Sequence, residues 1–399
     1  MSEKEQILQP LNKNFKEPKL RFKGFDSSWN ISAFIDHFIN FSTNSLSWDF
    51  LNFNSGEIKN LHYGLIHSSK YSVFNSCNAP FINKDSIPKK YTIYKSGDLI
   101  LADTSEDKKD VGKALELVLD NYPIICGLHT MHFRERKPST IPFYKSYYFS
   151  SMLYQHFTHK YSEGVKVFSL KPSLYKYFTF SYPCKDEQQK IVSFLRLIDN
   201  KIEIIENKID ILKKYKEGIM FRAFIEAQCR TFKLEELTSN NTITLGRGNI
   251  IPKQKGIYPV YSSSAQNNGL FCYKNDYMFD EELVTWSVDG GGRPFIRKKH
   301  KFSITNVCGF AKINNNNIVN YWWLYICFWN NWKSINFDYT TKAHPSVIDQ
   351  LYKIKLPTID YQIKYSTILD KIESILKINN ECLFALNKLK KQLMKDLFL

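Results

Sequence analysis

The sequence predicts an α+β protein in which two globular domains are separated by two long antiparallel coiled-coil helices, as a pseudo-two-fold internal repeat. Three observations predict this fold: a heptad pattern over residues 186–224, its recurrence over residues 360–399, and short strand-and-turn patterns elsewhere. At 399 residues the chain is too long for one ordinary hydrophobic core, so two or three domains are expected.

The segment 186–224 has the residue pattern of a coiled-coil helix. Its seam residues follow one another at alternating steps of four and three, and all but one are branched aliphatics. They are Ile191, Leu195, Ile198, Ile202, Ile205, Ile209, Leu212, Lys216 and Ile219. No proline interrupts the run, so we expect a helix of about 60 Å whose seam requires a partner helix. Lys216 is the exception, and we expect its side chain to snorkel from the helix end to solvent.

The partner is supplied by residues 360–399, which repeat the first helix without a gap. Pro183 and Pro357 are 174 residues apart (357 − 183), and the residues that follow match at this offset. The matches include Asp186 with Asp360, Gln188 with Gln362, Lys190 with Lys364, Leu195 with Leu369, Ile198 with Ile372, Lys216 with Lys390, Met220 with Met394 and Phe224 with Phe398. Helical periodicity alone would not repeat Pro-x-x-Asp-x-Gln-x-Lys, so we interpret the match as an internal duplication. The predicted segments are a flexible tail (1–17), domain 1 (18–183), helix 1 (184–226), domain 2 (227–357) and helix 2 (358–399).

Domain 1 shows short elements divided by turn residues. Residues 31–39 alternate in polarity and predict a short helix or strand, and residues 91–103 predict two strands about a Ser-Gly-Asp turn. Residues 123–133 predict a further strand, and the aromatic spacing of residues 143–157 predicts a short packing helix.

Domain 2 repeats this plan in shorter form. Residues 232–237 take the place of the opening segment, and residues 256–273 predict a strand, a polar loop and a strand. Residues 281–288 predict a strand, residues 289–302 a polar and charged loop, and residues 303–313 another strand, as in domain 1. The apolar run YWWLYICFW (321–329) is less than half of a membrane span and predicts a buried helix.

Composition suits a soluble protein with a polyanionic partner. The formal charge is +16, which favours nucleic-acid binding, although an AT-rich genome would also raise the lysine content. None of the eight cysteines forms a C-x-x-C motif, so reduced thiols are the simple interpretation. The polar first residues lack the apolar stretch of a signal peptide, and we expect a cytoplasmic protein.

Catalytic motifs are missing from the sequence. No Walker loop, no G-x-G-x-x-G between a strand and a helix, and no Asn/Asp-Pro-Pro-Tyr/Phe motif occurs, so we expect no cofactor and no methyl-transfer chemistry. The segment Gly290–Gly292 is interpreted as a flexible tip, and the acidic loop 103–110 is only weakly similar to a nuclease site. On a strand, His129 and His132 would point to opposite faces, so core or groove-lining histidines are favoured over a metal pair.

Polar loops with basic and aromatic residues favour DNA contact, because Lys and Arg neutralise phosphates while Arg, Asn, Gln and Ser read base edges. The candidates are Lys89, Lys90, Lys108, Lys109, Arg134, Arg136 and Lys137 in domain 1, and Arg247, Ser263, Gln266, Asn267, Arg293, Arg297, Lys298 and Lys299 in domain 2. We expect Arg297→Ala to affect only the DNA sequence read by domain 2. Which of these residues read bases rather than phosphates is left open.

These features resemble the DNA-specificity subunit of type I restriction–modification systems. The resemblance rests on PKLRFKGF (18–25), the two Pro-x-x-Asp-x-Gln-x-Lys motifs, and the helix ends KKYKEGIMFRAF and KLKKQLMKDLFL. Residues 96–134 and 282–313 are similar to target-recognition domains of that family. One departure is that the second motif has Asp360-Tyr361-Gln362 rather than an Asp/Glu-Glu-Gln-Gln run.

The resemblance implies a division of labour. Each target-recognition domain would read one half of a bipartite double-stranded DNA site, and the helices would set the gap and dock the modification subunits, two in number. Those subunits would carry S-adenosylmethionine and the adenine methylation, and a restriction subunit would add the motor and nuclease. The alternatives are an enzyme acting alone, for which no motif is found, and a coiled-coil interaction scaffold without DNA specificity, which would leave the basic domains without a role.

Overall fold

The computed structural model describes residues 18–69, 73–119, 121–264, 266–289, 291–335, 337 and 342–398, so the predicted tail lies outside the described residues. Contacts divide the chain into two compact units. Unit 1 comprises Met1–Ile204 and Leu383–Leu399, and unit 2 is the continuous segment Ile205–Cys382. Within them, we call residues 18–183 head 1 and residues 227–357 head 2.

The two predicted long helices are present and dominate the helical content. The helices are α1 (Phe34–His37), α2 (Tyr63–Ser68), α3 (Tyr144–Tyr148), α4 (Met152–Tyr161), α5 (Lys185–Glu226), α6 (Leu234–Ser239), α7 (Tyr321–Ser334), α8 (Pro345–Leu351) and α9 (Ile359–Phe398). Helices α5 and α9 have 42 and 40 residues. Together with the strands of each head they confirm the α+β class. No helix among the described residues is long and apolar enough to cross a membrane.

Head 1 is built from a five-stranded sheet, a four-stranded sheet and two strand pairs. Its strands are β1 (Asn30–Ala33), β2 (Phe38–Phe41), β3 (Leu51–Asn52), β4 (Lys59–Leu61), β5 (Val73–Asn75), β6 (Phe81–Ile82), β7 (Leu99–Ala102), β8 (Thr104–Ser105), β9 (Ala114–Val118), β10 (Ile124–Cys126), β11 (Thr130–Glu135), β12 (Phe168–Ser169) and β13 (Thr179–Tyr182). The larger sheet has the order β2-β11-β7-β9-β5 and the smaller one β10-β4-β6-β3. All four residues of β7 are buried, because both faces of this central strand are covered.

Head 2 contains one six-stranded sheet and one strand pair. Its strands are β14 (Thr231–Lys233), β15 (Ile243–Arg247), β16 (Tyr258–Tyr261), β17 (Leu270–Lys274), β18 (Phe279–Ser287), β19 (Pro294–Ile304), β20 (Cys308–Ile313) and β21 (Lys353–Lys355). The sheet has the order β15-β20-β18-β19-β16-β17. Strands β14 and β21 pair antiparallel, as β1 and β13 do in head 1, so the opening and closing segments of each head meet.

The helix seam is buried in both units. In unit 1, the seam residues of α5 up to Ile202 share a core with Leu393, Met394, Leu397 and Phe398 at the end of α9. In unit 2, Lys216 of α5 contacts Glu373 of α9, and Tyr361 donates to the Ala223 carbonyl. In each unit the contacts run in opposite directions along the two helices, which confirms antiparallel pairing.

The junction between head and helix is repeated hydrogen bond for hydrogen bond. Gln188 Oε1 accepts from the Ile141 amide, and its Nε2 donates to the Ser139 and Pro183 carbonyls. In unit 2, Gln362 Oε1 accepts from the Asn320 amide, and its Nε2 donates to the Ile318 and Pro357 carbonyls. Both glutamines are fully buried, so the repeated Gln of the sequence motif fastens each head to its helix.

Further contacts occur at equivalent positions of the two junctions but involve different types of side chain. Tyr144 donates to the carbonyl of Ser181, and Trp323 donates to that of Lys355, 174 residues later (355 − 181). Arg196 lies over the Phe143 ring, whereas the matching Asp370 accepts from Trp322. The duplicated junction between head and helix therefore tolerates different side chains, provided that the two residues at each contact still interact favourably.

Lys216 does not snorkel, contrary to our expectation. Its ammonium group pairs with Glu373 and lies 5.3 Å from the ring centroids of both Trp322 and Tyr325. Burial alone would lower the pKa of Lys216, but Tyr325 and the Glu373 carboxylate outweigh it, and the pKa lies above its ordinary value. The matching Lys390 pairs with Asp199 in unit 1, so each lysine serves as one half of an interhelical ion pair.

Three predicted elements differ from the structure. The charged loop predicted for residues 289–302 is largely strand β19. In it Phe295 and Arg297 are buried on either side of the half-buried Ile296, a pattern that the basic residues obscured. Residues 143–157 form two helices rather than one, and residues 123–133 form two strands that are interrupted before His129, whose φ is 55°. In the predicted glycine tip, residue 290 lies outside the described residues.

Candidate nucleic-acid interface

The basic residues predicted in head 1 do not form one cluster. Lys89 and Lys90 are exposed before β7, and Arg136 and Lys137 are exposed after β11, near the end where β7 begins. The loop with Lys108 and Lys109 leaves β7 at its other end. Their joint role in DNA contact stays a prediction.

Arg134 belongs to a buried network rather than to a free basic surface. Its guanidinium donates to both oxygens of Asp98 at 2.7 and 2.6 Å and lies over the Phe41 ring. The Nε2 atom of buried His132 is 2.6 Å from the same carboxylate. Burial alone would raise the pKa of Asp98, but the hydrogen bonds from Arg134 and His132 outweigh it, and the pKa lies below its ordinary value.

Because the pKa of Asp98 is lower in the folded state, its carboxylate adds stability above its ordinary pKa, and this contribution is lost as the pH falls through the folded pKa. We therefore expect β7 and β11 to lose protection from hydrogen exchange in acid, from about pH 5 downward. Asp98→Asn should remove this part of the pH dependence and destabilise head 1 at neutral pH. The matched variant Asp36→Asn changes an exposed carboxyl of the same head, and equal behaviour of both variants would contradict the assignment.

The structure supports the core interpretation for His132 but not for His129, which is exposed. His132 is buried on β11, while His129 precedes the strand and contacts Asp103. Within the described ranges, no group of three or more His, Cys, Asp or Glu side chains could hold a metal ion.

Unit 2 contains a cleft of about 870 Å³ between β19, α7 and the paired helices α5 and α9. Seven basic and three acidic side chains line it, with an aromatic wall from α7. The basic residues are Lys213, Lys216, Arg293, Arg297, Lys298, Lys333 and Lys377; the acidic residues are Glu217, Asp370 and Glu373; the wall is Trp322, Tyr325, Trp329 and Trp332. The cleft thus brings together three of the predicted residues, Arg293, Arg297 and Lys298, and has a surplus of positive charge.

Much of this positive charge is already compensated. Lys216 pairs with Glu373, and Lys298 pairs with Asp370 and Glu282. Among the described residues, by contrast, no carboxylate pairs with Arg293, Lys333 or Lys377, and all three are exposed. Lys333 lies over the rings of Trp329 and Trp332. Lys213 differs from them in having Asp210 at 3.9 Å. Among the described cleft residues, Arg293, Lys333 and Lys377 are therefore the exposed cations without a carboxylate partner.

Arg297 is buried, with 2% of its surface exposed, which makes it unlike an ordinary phosphate-binding residue. It donates to Thr285 Oγ1 and to the Asn268 carbonyl, and its guanidinium lies 3.7 Å from the Tyr261 ring centroid. Burial lowers the pKa of Arg297 to about 10. Its contacts within the described part of the chain are internal, and they fix the loop that precedes β17.

The remaining predicted residues of head 2 do not line the cleft. Gln266 and Asn267 are exposed at the tip of the loop that precedes β17, and Ser263 is half-buried at its start. Arg247, at the end of β15, donates to the Asn306 carbonyl and stays exposed. Lys299 is exposed on β19 outside the cleft.

Sequence reasoning missed Lys213, Lys333, Lys377 and the tryptophans of α7. Lys213 and Lys377 belong to the predicted coiled-coil helices, where an exposed lysine is expected to be solvated. Lys333 and Trp332 follow the predicted buried helix 321–329. Lys333 could have been predicted from its position next to Trp329 and Trp332, because an exposed cation with aromatic neighbours is typical of protein surfaces that bind nucleic acid. For Lys377, on α9, nothing local in the sequence distinguishes it from other exposed helix lysines.

Comparison with known proteins gives one family model that matches, described as the type I restriction modification DNA specificity domain, over residues 229–388. The N-terminus of a putative type I specificity subunit of Mycoplasma pneumoniae is 32% identical over 156 residues, which cover 37% of this chain and 76% of that protein. A second putative type I specificity subunit of the same organism is 36% identical over 94 residues, covering 23% of this chain and a quarter (25%) of the relative. A third is 30% identical over 150 residues, covering 36% of this chain and about half (48%) of the relative.

Two solved structures share the fold. The crystal structure of a type I restriction–modification S subunit from M. genitalium aligns with a TM-score of 0.58 at 16% identity, covering 96% of this chain and 99% of that one. A chain from a structure of type I complex assembly and conformational transition aligns with a TM-score of 0.55 at 13% identity, covering 94% and 98%. Both agree with the α+β heads and long helices described above. The chain belongs to the family of type I restriction–modification DNA-specificity subunits.

Proposed function

We propose that this chain is the sequence-reading subunit of a type I restriction–modification complex and that each head reads one half of a bipartite DNA site. The observation that carries the proposal is the repeated junction: Gln188 and Gln362 fasten two different heads to matching helices. The junction is the same in both halves of the chain, whereas the two heads differ in sequence. This arrangement suits a protein that reads two unrelated short DNA sequences. We call the sequence read by head 2 the second half-site.

The cleft of unit 2 supports contact with the DNA backbone. Arg293, Lys333 and Lys377 are exposed and unpaired by carboxylates among the described residues, and they converge on one concave surface. Phosphate contacts of this kind fix the register of a protein on DNA, while neighbouring polar side chains reach the bases. A scaffold without DNA specificity gives these cations no role.

We assign the methylation and cleavage to partner subunits and propose that the modification subunits dock on the outer face of the helices. The matched residues Ile204 in unit 1 and Ile378 in unit 2 are 66% and 64% exposed. A second matched pair, Tyr215 in unit 2 and Leu389 in unit 1, is 59% and 48% exposed. Exposed apolar residues at repeated positions favour two equivalent docking sites, and hence two modification subunits.

The test of the function is to express the chain with and without a modification subunit from its own genome and to sequence N6-methyladenine in the host DNA. We expect a bipartite methylated motif only when both are present. Methylation of the same motif by the modification subunit alone, or no motif in the combined strain, would reject the proposal.

Removing the three free cations should weaken binding to DNA that contains the second half-site. The triple variant Arg293→Ala, Lys333→Ala and Lys377→Ala loses up to three phosphate contacts, and each contact contributes about one unit to the slope of log affinity against log salt. The slope should therefore fall by about three, measured by titration of the assembled complex at several salt concentrations.

The matched control is Lys214→Ala, Arg222→Ala and Lys371→Ala, which removes the same charge from exposed positions outside the cleft. An equal fall of the slope in both triple variants would mean that only net charge matters. An unchanged slope in the cleft variant would show that the DNA backbone does not contact the cleft.

A further inference from the structure

The turn before β17 presents three consecutive amide side chains to solvent. We call residues 266–268, which are Gln266, Asn267 and Asn268, the amide turn. All three are exposed, and Asn268 also lines the cleft. Among the described residues, the hydrogen bonds of the turn use its main-chain atoms, and none of the three side-chain amides has an internal partner. Their donors and acceptors are therefore available to a ligand.

The backbone of the amide turn is held in an unusual conformation. Asn267 and Asn268 have φ values of 47° and 52°, so two neighbouring residues with side chains are both left-handed. Glycine adopts this conformation most easily, and Asn is one of the few other residues that tolerate it. Two glycines would build the same turn with less strain, so the asparagines contribute something that the backbone does not need.

Arg297, on β19, holds the amide turn in this conformation. Its Nη1 atom donates to the Asn268 carbonyl at 2.9 Å, and its Nε atom donates to Thr285 Oγ1 on the central strand β18. Gly269 lies so close that a Cβ atom there would be 3.2 Å from the guanidinium. The Ser262 amide closes the loop by donating to the Gly269 carbonyl. The turn is thus bound to the rigid sheet rather than left to fluctuate.

The chemistry of a side-chain amide selects one base edge. An amide offers one acceptor and one donor side by side, which matches the N6 donor and N7 acceptor of adenine in the major groove. Guanine presents two acceptors there and is read by Arg or Lys instead. Asn268 and Arg293 line the same cleft, so a DNA strand whose phosphates contact Arg293 would run beside the amide turn.

We propose that the Asn267 amide reads one stacked adenine of the second half-site through the major groove, and that Arg297 is the positioning residue that holds the amide turn in place. The inference rests on the proposed function and adds the identity of a base and of the residue that recognises it. It also replaces the expectation that Arg297 contacts DNA itself.

Asn267→Gly is the decisive variant, because glycine keeps the left-handed backbone and removes only the amide. The full-length chain carrying it is expressed with its modification subunit, and the methylated motif is read by sequencing. We expect one adenine of the second half-site to become degenerate, with its preference falling from about 5- to 150-fold to nearly none. The first half-site and the gap should not change. Asn275→Gly, in the exposed loop after β17, is the matched control and should leave the motif intact.

Arg297→Lys tests the positioning role. Lysine keeps the charge, but its single amino group cannot reproduce the fixed fork that reaches both Thr285 and Asn268. We expect the same single position to lose its preference, more weakly than in Asn267→Gly, while the rest of the second half-site is still read. Loss of the whole second half-site would show that Arg297 only maintains the fold, and would overturn its positioning role.

Other outcomes bear on the base assignment. If Asn267→Gly keeps the wild-type motif, or relaxes a position that is not adenine, the inference is wrong. The same holds if Asn275→Gly relaxes that position equally. If the wild-type pair directs no bipartite methylation at all, the proposed function fails and the inference fails with it, a result distinct from a wild-type motif that the variant leaves unchanged.

Discussion

Gln188→Ala is expected to destabilise unit 1 by about 2 kcal/mol or more, since it leaves one buried and two part-buried main-chain groups without their partner, and a buried group without a partner costs about 1–3 kcal/mol. The groups are the Ile141 amide and the carbonyls of Ser139 and Pro183, at 2.9, 3.1 and 2.9 Å from the side-chain amide. The free energy of unfolding and hydrogen exchange in the α5–α9 contact measure the effect.

The adjacent Gln189→Ala is the matched control for this prediction. Gln189 is exposed and donates to Ser193, its one side-chain partner in the described part of the chain, so its loss should change stability by less than about 0.5 kcal/mol. Gln362→Ala should reproduce the large effect in unit 2, because Gln362 makes the same three bonds. Equal stability of the Gln188 and Gln189 variants would show that water replaces the buried amide.

Lengthening both long helices by one heptad is expected to widen the gap of the methylated motif and to leave both half-sites unchanged. Duplicating residues 198–204 in α5 and 372–378 in α9 keeps the seam in register, because Ile198 and Ile372 are matched buried positions. Seven residues add about 10 Å, which corresponds to about three base pairs. Sequencing of N6-methyladenine in a host that expresses the variant measures the gap.

A one-sided insertion is the control for helix length. A heptad added to α5 alone moves Lys216 away from Glu373 and should destabilise the pairing instead of widening the gap. Altered bases with an unchanged gap in the double insertion would show that the helices do not set the spacing.

The apolar seam of the long helices and the internal duplication could be predicted because each depends only on the order of residues along the chain. Ile198 and Ile202 recur at the helical period, and Gln188 and Gln362 recur at one offset, without reference to distant residues. What Gln188 does could not be read, because its partners at 139 and 141 lie almost fifty residues away and become neighbours only on folding.

The candidate site was only partly predictable for the same reason. Arg297 looks like a solvated loop residue in RPFIRKKHK, and only its pairing opposite Leu283 on β18 places it inside the sheet. Lys333 and Lys377 come from two helices that the fold brings to one cleft. The polar composition of the amide turn predicts DNA contact, but nothing in the local sequence predicts its left-handed backbone.

The burial of the end of α9 in unit 1 has a consequence for protein synthesis. The core of unit 1 includes Leu397 and Phe398, and the Leu20 amide donates to the Asp396 carbonyl. The ribosome makes the 178 residues of unit 2 (382 − 204) before it reaches these partners, which takes roughly 10–40 s at ordinary elongation rates. During that time Ile191 and Leu195 have no seam to pack against, while unit 2 can close on itself as one continuous segment. The part of unit 1 that is translated first, up to Ile204, therefore completes its folding last. Until α9 has been synthesised, chaperones would have to protect this part of the nascent chain.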